Sequence, residues 1–305
     1  MKRNYSKTVS LLALLIISFS ALFAVEDDMQ FHGESGIFYR ETGMSLGLLP
    51  ESVTFQQPFS LSPLTDGIIG GTTAALAGSA FLCDKVFHIK KNNTGDFAPF
   101  PLDKNSLNGF DRPFIQHYSK TLDHVGDGVL ALTMALPALM FTSNNTDWLT
   151  VGVMYAETLA LAYGMKQWGK LLITRPRPYM YFDDYPQGEV DRGDWHCSFP
   201  SGHTTIAFTA AAFTSAVFNE YFPDTFWRHV VTAGSFGLAT AVGIIRMSSG
   251  NHFATDVLAG VAIGTLCGFI VPFFHSNLFI NLVGGNKNTE VAVSPLGFNV
   301  RIRLD

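Results

Sequence analysis

Between positions 67 and 274 most charged residues withdraw into loops and leave six apolar stretches, at 67–83, 128–144, 148–165, 203–219, 229–245 and 257–274. Each holds 17 or 18 residues. That is far beyond the usual strand of about 4–8 residues, so each stretch predicts a helix. A membrane span takes about 20 apolar residues, with a range of about 17–25. The six lie at the short end of that range and are rich in Ala, Gly and Thr. Small residues let helices approach closely in lipid, and they serve equally in a tightly packed bundle outside it. The expected fold class is all-α: a six-helix bundle, membrane-embedded, with a polar amino-terminal segment and a short carboxyl-terminal β-hairpin. The hairpin is read from the alternation of Phe298, Val300, Ile302 and Leu304 with polar partners.

Composition agrees. Of 305 residues, Lys, Arg, Asp and Glu make up 15%, against about 25% in ordinary soluble domains. Hydrophobic residues reach 47%, with 27 Phe, which excludes disorder for most of the chain. The net charge of −5 comes without a long basic run, so nucleic acid is excluded as a partner. Cys83, Cys197 and Cys267 follow no CxxC or Cys/His spacing, which excludes a zinc ribbon and a disulfide-stapled scaffold. One pair at most is available, and an oxidising compartment would permit Cys83 with Cys197.

Four segments follow. Lys2, Arg3 and Lys7 precede an uncharged run that ends at the small residues Ala21 and Ala24. This order predicts an export signal over 1–24, with an uncleaved anchor as the alternative. Residues 25–64 form a polar lead-in, 65–275 the helical domain and 276–305 a tail. The long loops follow the first and third apolar stretches. In an up-and-down bundle they share one end with the turn after the fifth helix.

Three clusters stand at that end. The first, Lys170-Leu-Leu-Ile-Thr-Arg175-Pro-Arg177-Pro178, contains cations that would suit a membrane boundary. Arg177, locked between two prolines, also presents a fixed planar donor suited to phosphate. The second, Pro200-Ser201-Gly202-His203, reads as a helix start with Ser201 at the N-cap. Its free N–H groups and Gly202 would also admit an anion beside His203. The third runs from Arg246 through Ser-Ser-Gly-Asn to His252 and Asp256. His252 and Asp256 are one helical turn apart, so the carboxylate is placed to hold one imidazole nitrogen protonated and free the other for attack. Such a set of cations, histidines and a helix N-terminus suits phosphoryl transfer, which depends on charge stabilisation and positioning.

The pattern Lys-x6-Arg-Pro, then Pro-Ser-Gly-His, then Arg-x5-His-x3-Asp resembles the signature of the type 2 phosphatidic acid phosphatase superfamily. That superfamily includes lipid phosphate phosphatases, class A acid phosphatases and vanadium haloperoxidases. The resemblance runs from about position 67 to 274. Ile245 stands where the third motif usually has serine, which removes one possible hydroxyl contact to substrate. The resemblance implies catalysis by His252, His203 and Asp256. His252 would form a phosphohistidine, Asp256 would orient it, and His203 would protonate the leaving oxygen and then activate water. Lys170, Arg177, Ser201, Gly202 and Arg246 would hold the phosphate. No metal or cofactor is expected. His196 and Cys197 read as loop residues, and Glu157, inside the third stretch, as a structural carboxylate.

The implied activity is hydrolysis of a phosphate monoester or diphosphate on a lipid, of the phosphatidate or polyprenyl diphosphate class, with that lipid and the membrane as partners. The alternatives are a soluble exported acid phosphatase of broad specificity, a vanadate-dependent haloperoxidase and a non-catalytic membrane protein. The expected location is the cell envelope, either membrane-associated with the site extracytoplasmic, as the resemblance implies, or periplasmic. Two signals oppose the extracytoplasmic site. After an exported amino terminus, six crossings place the motif end inward. The motif-side loops also carry more Lys and Arg than the other end.

Overall fold

The computed structural model describes residues 57–87, 100–142, 147–277 and 279, together with two strand segments at 289–294 and 297–302. The expected export signal and most of the polar lead-in lie outside the described residues. Seven α-helices are present among those described: α1 Pro63–Lys85, α2 Lys120–Met134, α3 Trp148–Leu172, the short α4 Gln187–Asp191, α5 Gly202–Tyr221, α6 Trp227–Ser248 and α7 Ala254–His275. The six long ones correspond to the six apolar stretches.

Their ends follow local chemistry. Pro63 opens α1, where a missing N–H costs nothing. The Ser119 hydroxyl caps α2 at Leu122, and Asp147 caps α3 at Leu149 and Thr150. The second helix departs from the apolar limits. It starts at Lys120 and ends at Met134, and a 3-10 turn, Leu136–Thr142, follows it. Pro137 stops the α-helix, because it lacks an N–H and disfavours helical backbone at the residue before it. The start is earlier than predicted because the cap, not the onset of apolarity, nucleates the helix.

Helix α5 is the axis of the bundle. It is buried almost throughout from Thr204 to Phe218 and packs against α7, α6, α3 and α2, while α1 packs chiefly on α3. Its face toward α7 is closed by small residues. A Cβ on Gly264 would lie 2.3 Å from the Thr205 carbonyl oxygen, and one on Gly268 would lie 2.5 Å from the Ala212 Cβ. The two backbones are therefore in near contact, as small-residue stripes allow. Gly264→Ala is expected to lower the melting temperature in detergent, at a cost of about 1–3 kcal/mol from overpacking. Gly237→Ala on the exposed face of α6, where nothing lies within 4 Å, is expected to be neutral or slightly stabilising by helix propensity. Equal effects of the two would contradict this packing.

The outer surface is apolar in many places: Leu64, Ile68, Phe81, Leu132, Leu149, Leu172, Trp227 and Leu266 are all exposed. Among the described residues three helices, α1, α6 and α7, are long and apolar enough to cross a membrane by length and composition. The protein is membrane-associated and all-helical in its domain. The structure holds no disulfide between Cys83 and Cys197, the pair that an oxidising compartment would permit. The predicted carboxyl-terminal hairpin is not supported as part of the fold. Thr289–Ser294 and Gly297–Ile302 run antiparallel, yet their substantial contacts are with each other alone, and an isolated two-stranded hairpin is marginal at best.

Candidate active site

The three sequence clusters meet at one end of the bundle. Helix α6 ends at Ser248, and the chain turns at Gly250, whose φ of 75° suits glycine. A Cβ there would lie 2.6 Å from the carbonyl oxygens of both Gln116 and His117. The turn is thus clamped against the loop before α2, and it delivers His252 to a fixed place, 2% exposed. The Nδ1 of His252 lies 2.7 Å from the Ser198 carbonyl oxygen. A carbonyl only accepts, so Nδ1 carries the proton and Nε2 keeps its lone pair. Burial, and then the nearby Arg177, Arg246 and Lys170, hold the His252 pKa well below the ordinary histidine value, so the neutral, nucleophilic ring is favoured.

The direct contact expected between Asp256 and His252 is not made. The Asp256 Oδ2 is 3.8 Å from His252 Nδ1, outside hydrogen-bond reach. The carboxylate instead accepts from the Ser198 hydroxyl and from the Phe253 N–H at the start of α7. Asp256 therefore stands one step removed from His252, bonded to the residue whose carbonyl holds the ring. Asp256 also pairs with Arg175, and Arg175 reaches Asp111 Oδ2 at 2.6 Å. Both carboxylates are wholly buried. Thr255 closes the network: its hydroxyl accepts from Arg175 at 2.7 Å and donates to Asp111 at 2.7 Å. Arg175 also lies over the Phe253 ring, 4.1 Å from its centroid. Arg175 thus locks two loops to α7, a role that its place among loop cations did not reveal.

Arg177, Lys170 and Arg246 line a common cavity of about 350 Å³ with His252, His203 and Gly202. Each cation meets an aspartate. Arg177 pairs with Asp194 and donates to Asn251 Oδ1 at 3.0 Å. Lys170 lies 3.9 Å from Asp194. Arg246, 3% exposed, pairs with Asp123 on the first turn of α2. Lys166, one turn before Lys170, joins the lining. An incoming phosphate would exchange these carboxylates for its own oxygens, and charge-assisted bonds would be kept.

His203 stands on the first turn of α5 with Nε2 2.7 Å from Asp127 Oδ1. Gly202 borders the cavity, and a Cβ there would press on the Lys166 side chain at 3.0 Å. Ser201 differs from expectation. It is fully buried, its hydroxyl is shared with Thr204 at 2.8 Å, and it does not line the cavity. The Ser201 hydroxyl makes no capping bond to the helix N–H groups and turns along α5 to Thr204, not toward the opening. His196 and Cys197 are buried away from the cavity lining. A wider depression of about 800 Å³ lies over the loops at 101–105 and 181–184 and contains none of the three clusters.

Among the site residues that sequence reasoning missed are Asp123, Asp127, Lys166, Asp194 and Asn251 of the cavity lining, and Ser198, whose carbonyl holds His252. Asp123 and Asp127 sit four apart from each other on a helix, and that spacing places both on one face.

The description "PAP2 superfamily" fits residues 151–280. The lipid A 1-phosphatase of Porphyromonas gingivalis is 28% identical over 54% of this chain, which spans about a third (33%) of that protein. The lipid A 4'-phosphatase of the same bacterium is 32% identical over 54% of this chain and 68% of its own length. A solved transmembrane PAP2 type phosphatidylglycerolphosphate phosphatase from Bacillus subtilis aligns with a TM-score of 0.40 at 21% identity, covering 69% of this chain and 95% of that one.

Proposed function

This chain belongs to the PAP2 superfamily, and from that premise we propose that it is a phosphatase that hydrolyses a phosphate monoester or diphosphate on a membrane lipid. The observation that carries the reading is the single cavity where a neutral His252, its Nδ1 proton engaged by Ser198, faces three fixed cations and a second histidine. The named activity of the two Porphyromonas relatives, removal of phosphate from a lipid, supports the substrate class.

In the proposed reaction His252 Nε2 attacks phosphorus and the bond to the lipid oxygen breaks. His203, protonated in the substrate complex, gives its Nε2 proton to that oxygen and becomes neutral. Before substrate binds, burial and Arg246 hold its pKa down at about 4, and the charge of a bound phosphate favours the protonated form. In the structure Asp127 accepts the Nε2 proton. The resulting phosphohistidine is hydrolysed when His203 takes a proton from water that attacks phosphorus. Lys170, Arg177, Arg246 and the Gly202 N–H stabilise the charge on the equatorial oxygens. Ser201 contributes by starting α5, and Asp256 by positioning Ser198. The catalytic end faces away from the cytoplasm in this reading, in the cell envelope, with residues 65–275 as the phosphatase domain.

The test is phosphate release by the purified protein from a panel running from p-nitrophenyl phosphate through phosphatidate to a polyprenyl diphosphate. Release from a lipid, far exceeding that from p-nitrophenyl phosphate at equal concentration, is the expected result. Equal rates throughout would support a broad acid phosphatase instead, and no release from any of them would end the reading. Protease access to the loop at 177–194 in intact cells or spheroplasts checks sidedness.

A further inference from the structure

At the end of the bundle opposite the catalytic cavity, Asp66 of α1, Glu157 of α3 and His275 of α7 bring three ligand atoms within 4.8 Å of one another. His252 precedes α7 and His275 ends it. The 22 residues of that helix put roughly 33 Å between the two sites at about 1.5 Å per residue. His275 is fully buried, and its Nδ1 lies 2.9 Å from the Val271 carbonyl oxygen. The carbonyl cannot donate, so the proton sits on Nδ1. Nε2 is turned toward Asp66 Oδ1 at 2.8 Å and Glu157 Oε2 at 3.3 Å.

Three electron-pair donors thus converge on one point. A proton on Nε2 answers only part of this. It makes one good hydrogen bond, to Asp66, and Glu157 Oε2 is buried without a hydrogen-bond partner. With both carboxylates ionised it also leaves charge unbalanced: one imidazolium against two carboxylates is a net −1. No lysine or arginine among the described residues pairs with either carboxylate; Asp66 is 27% exposed and reaches water, but the Glu157 side chain is only 13% exposed, where uncompensated charge is costly. A divalent cation resolves both difficulties. It binds all three atoms and balances two carboxylates and a neutral imidazole. With bonds of about 2.1 Å, a tetrahedral site has ligand atoms about 3.4 Å apart; the 3.3 Å between Nε2 and Oε2 matches this, and the 2.8 Å between Nε2 and Asp66 Oδ1, a hydrogen-bond distance, would open by about 0.6 Å on binding. The Nδ1–H to carbonyl bond is the outer-shell contact that commonly orients a metal-bound histidine.

We propose that Asp66, Glu157 and His275 form a binding site for a first-row divalent cation of the Zn²⁺ or Mn²⁺ type, with a fourth position open to water. The donor set of one imidazole and two carboxylates suits these ions. The site is structural. It ties the first turn of α1 and the middle of α3 to the last residue of α7, where the entering chain also docks through the Ser60 N–H on the His275 carbonyl at 3.0 Å.

The experiment uses untagged, detergent-solubilised full chain, stripped with chelator and then given Zn²⁺ or Mn²⁺. Expected results are uptake of about one equivalent by elemental analysis after dialysis and a melting temperature raised by several degrees, since a ligand bound to the folded state stabilises it. Glu157→Gln, which keeps volume and hydrogen bonding, is expected to weaken uptake at least tenfold, and His275→Ala to abolish it. The proposal is overturned if the stripped chain takes up no ion, or if Glu157→Gln binds as well as the parent. A melting temperature that follows pH and ignores metal would assign a proton to the site and overturn it equally.

Discussion

His252→Ala is expected to reduce phosphate release by roughly four orders of magnitude while leaving the folded protein intact, because removal of a covalent nucleophile is among the largest single losses an enzyme suffers. The side chain is buried but borders the cavity, and its one strong bond is to a loop carbonyl. Truncation therefore enlarges the cavity without orphaning a charge. His203→Ala should cost less, about 10²–10⁴-fold for a general acid, and the loss should depend on substrate. A lipid alcohol is a poor leaving group that needs the proton, whereas p-nitrophenolate leaves largely unaided. The pH profile adds a further check. Burial and three neighbouring cations depress the His252 pKa, so the reactive neutral form persists as pH falls through the usual histidine range near 6.5. The acid limb of kcat/KM assigned to the nucleophile should lie below that range, with its protonated, inactive form appearing only in stronger acid. A His252→Ala variant with undiminished release, or a nucleophile limb centred above pH 7, would defeat the assignment.

Much of this was legible in the sequence because two of its signals are local. Six apolar stretches gave six long helices, since burial of a continuous apolar run needs no long-range information. The spacing of Arg246, His252 and Asp256 placed them at one helix junction. What escaped was the polar extension of helices beyond their apolar limits. Lys120 to Asp127 looks like loop by composition, but the Ser119 cap makes it the first two turns of α2, and those turns carry Asp123 and Asp127 into the site. The partner of His252 escaped for a different reason. Helical spacing between His252 and Asp256 presumes that both lie on the helix, whereas His252 precedes the first residue of α7, Ala254. Off the helix, its ring turns toward the loop before α5 and finds the Ser198 carbonyl. Backbone acceptors carry no residue-type signal, so no reading of side chains could have named Ser198. Glu157 was expected to be a structural carboxylate, but its partners come from residues 66 and 275, far apart in sequence.

The same limit governs Arg175 and Arg177, two residues apart in one motif and chemically alike. Arg175→Ala is expected to destabilise the fold by about 3–5 kcal/mol, the usual cost of leaving buried charge unpaired, and to lower the melting temperature by on the order of 10 °C. Its guanidinium joins Asp111 and Asp256, both fully buried, and no other cation among the described residues meets both. Arg177→Ala should be milder for stability. Its carboxylate partner Asp194 has a side chain 47% exposed, so water can solvate it once the arginine is gone. Its functional cost should be larger per folded molecule, with the loss of a charge-assisted contact to phosphate worth about 1.5–3 kcal/mol. That loss appears in kcat/KM at temperatures where both variants remain folded. A second variant separates charge from packing. Adding Asp111→Asn to Arg175→Ala removes one of the two orphaned charges, so it should restore part of the lost stability without restoring the arginine. Identical melting temperatures for the two single variants, or no recovery in the double one, would show that the buried network does not hold the loops over the site. In that case the positioning of His252 through Asp256 and Ser198 would need another source.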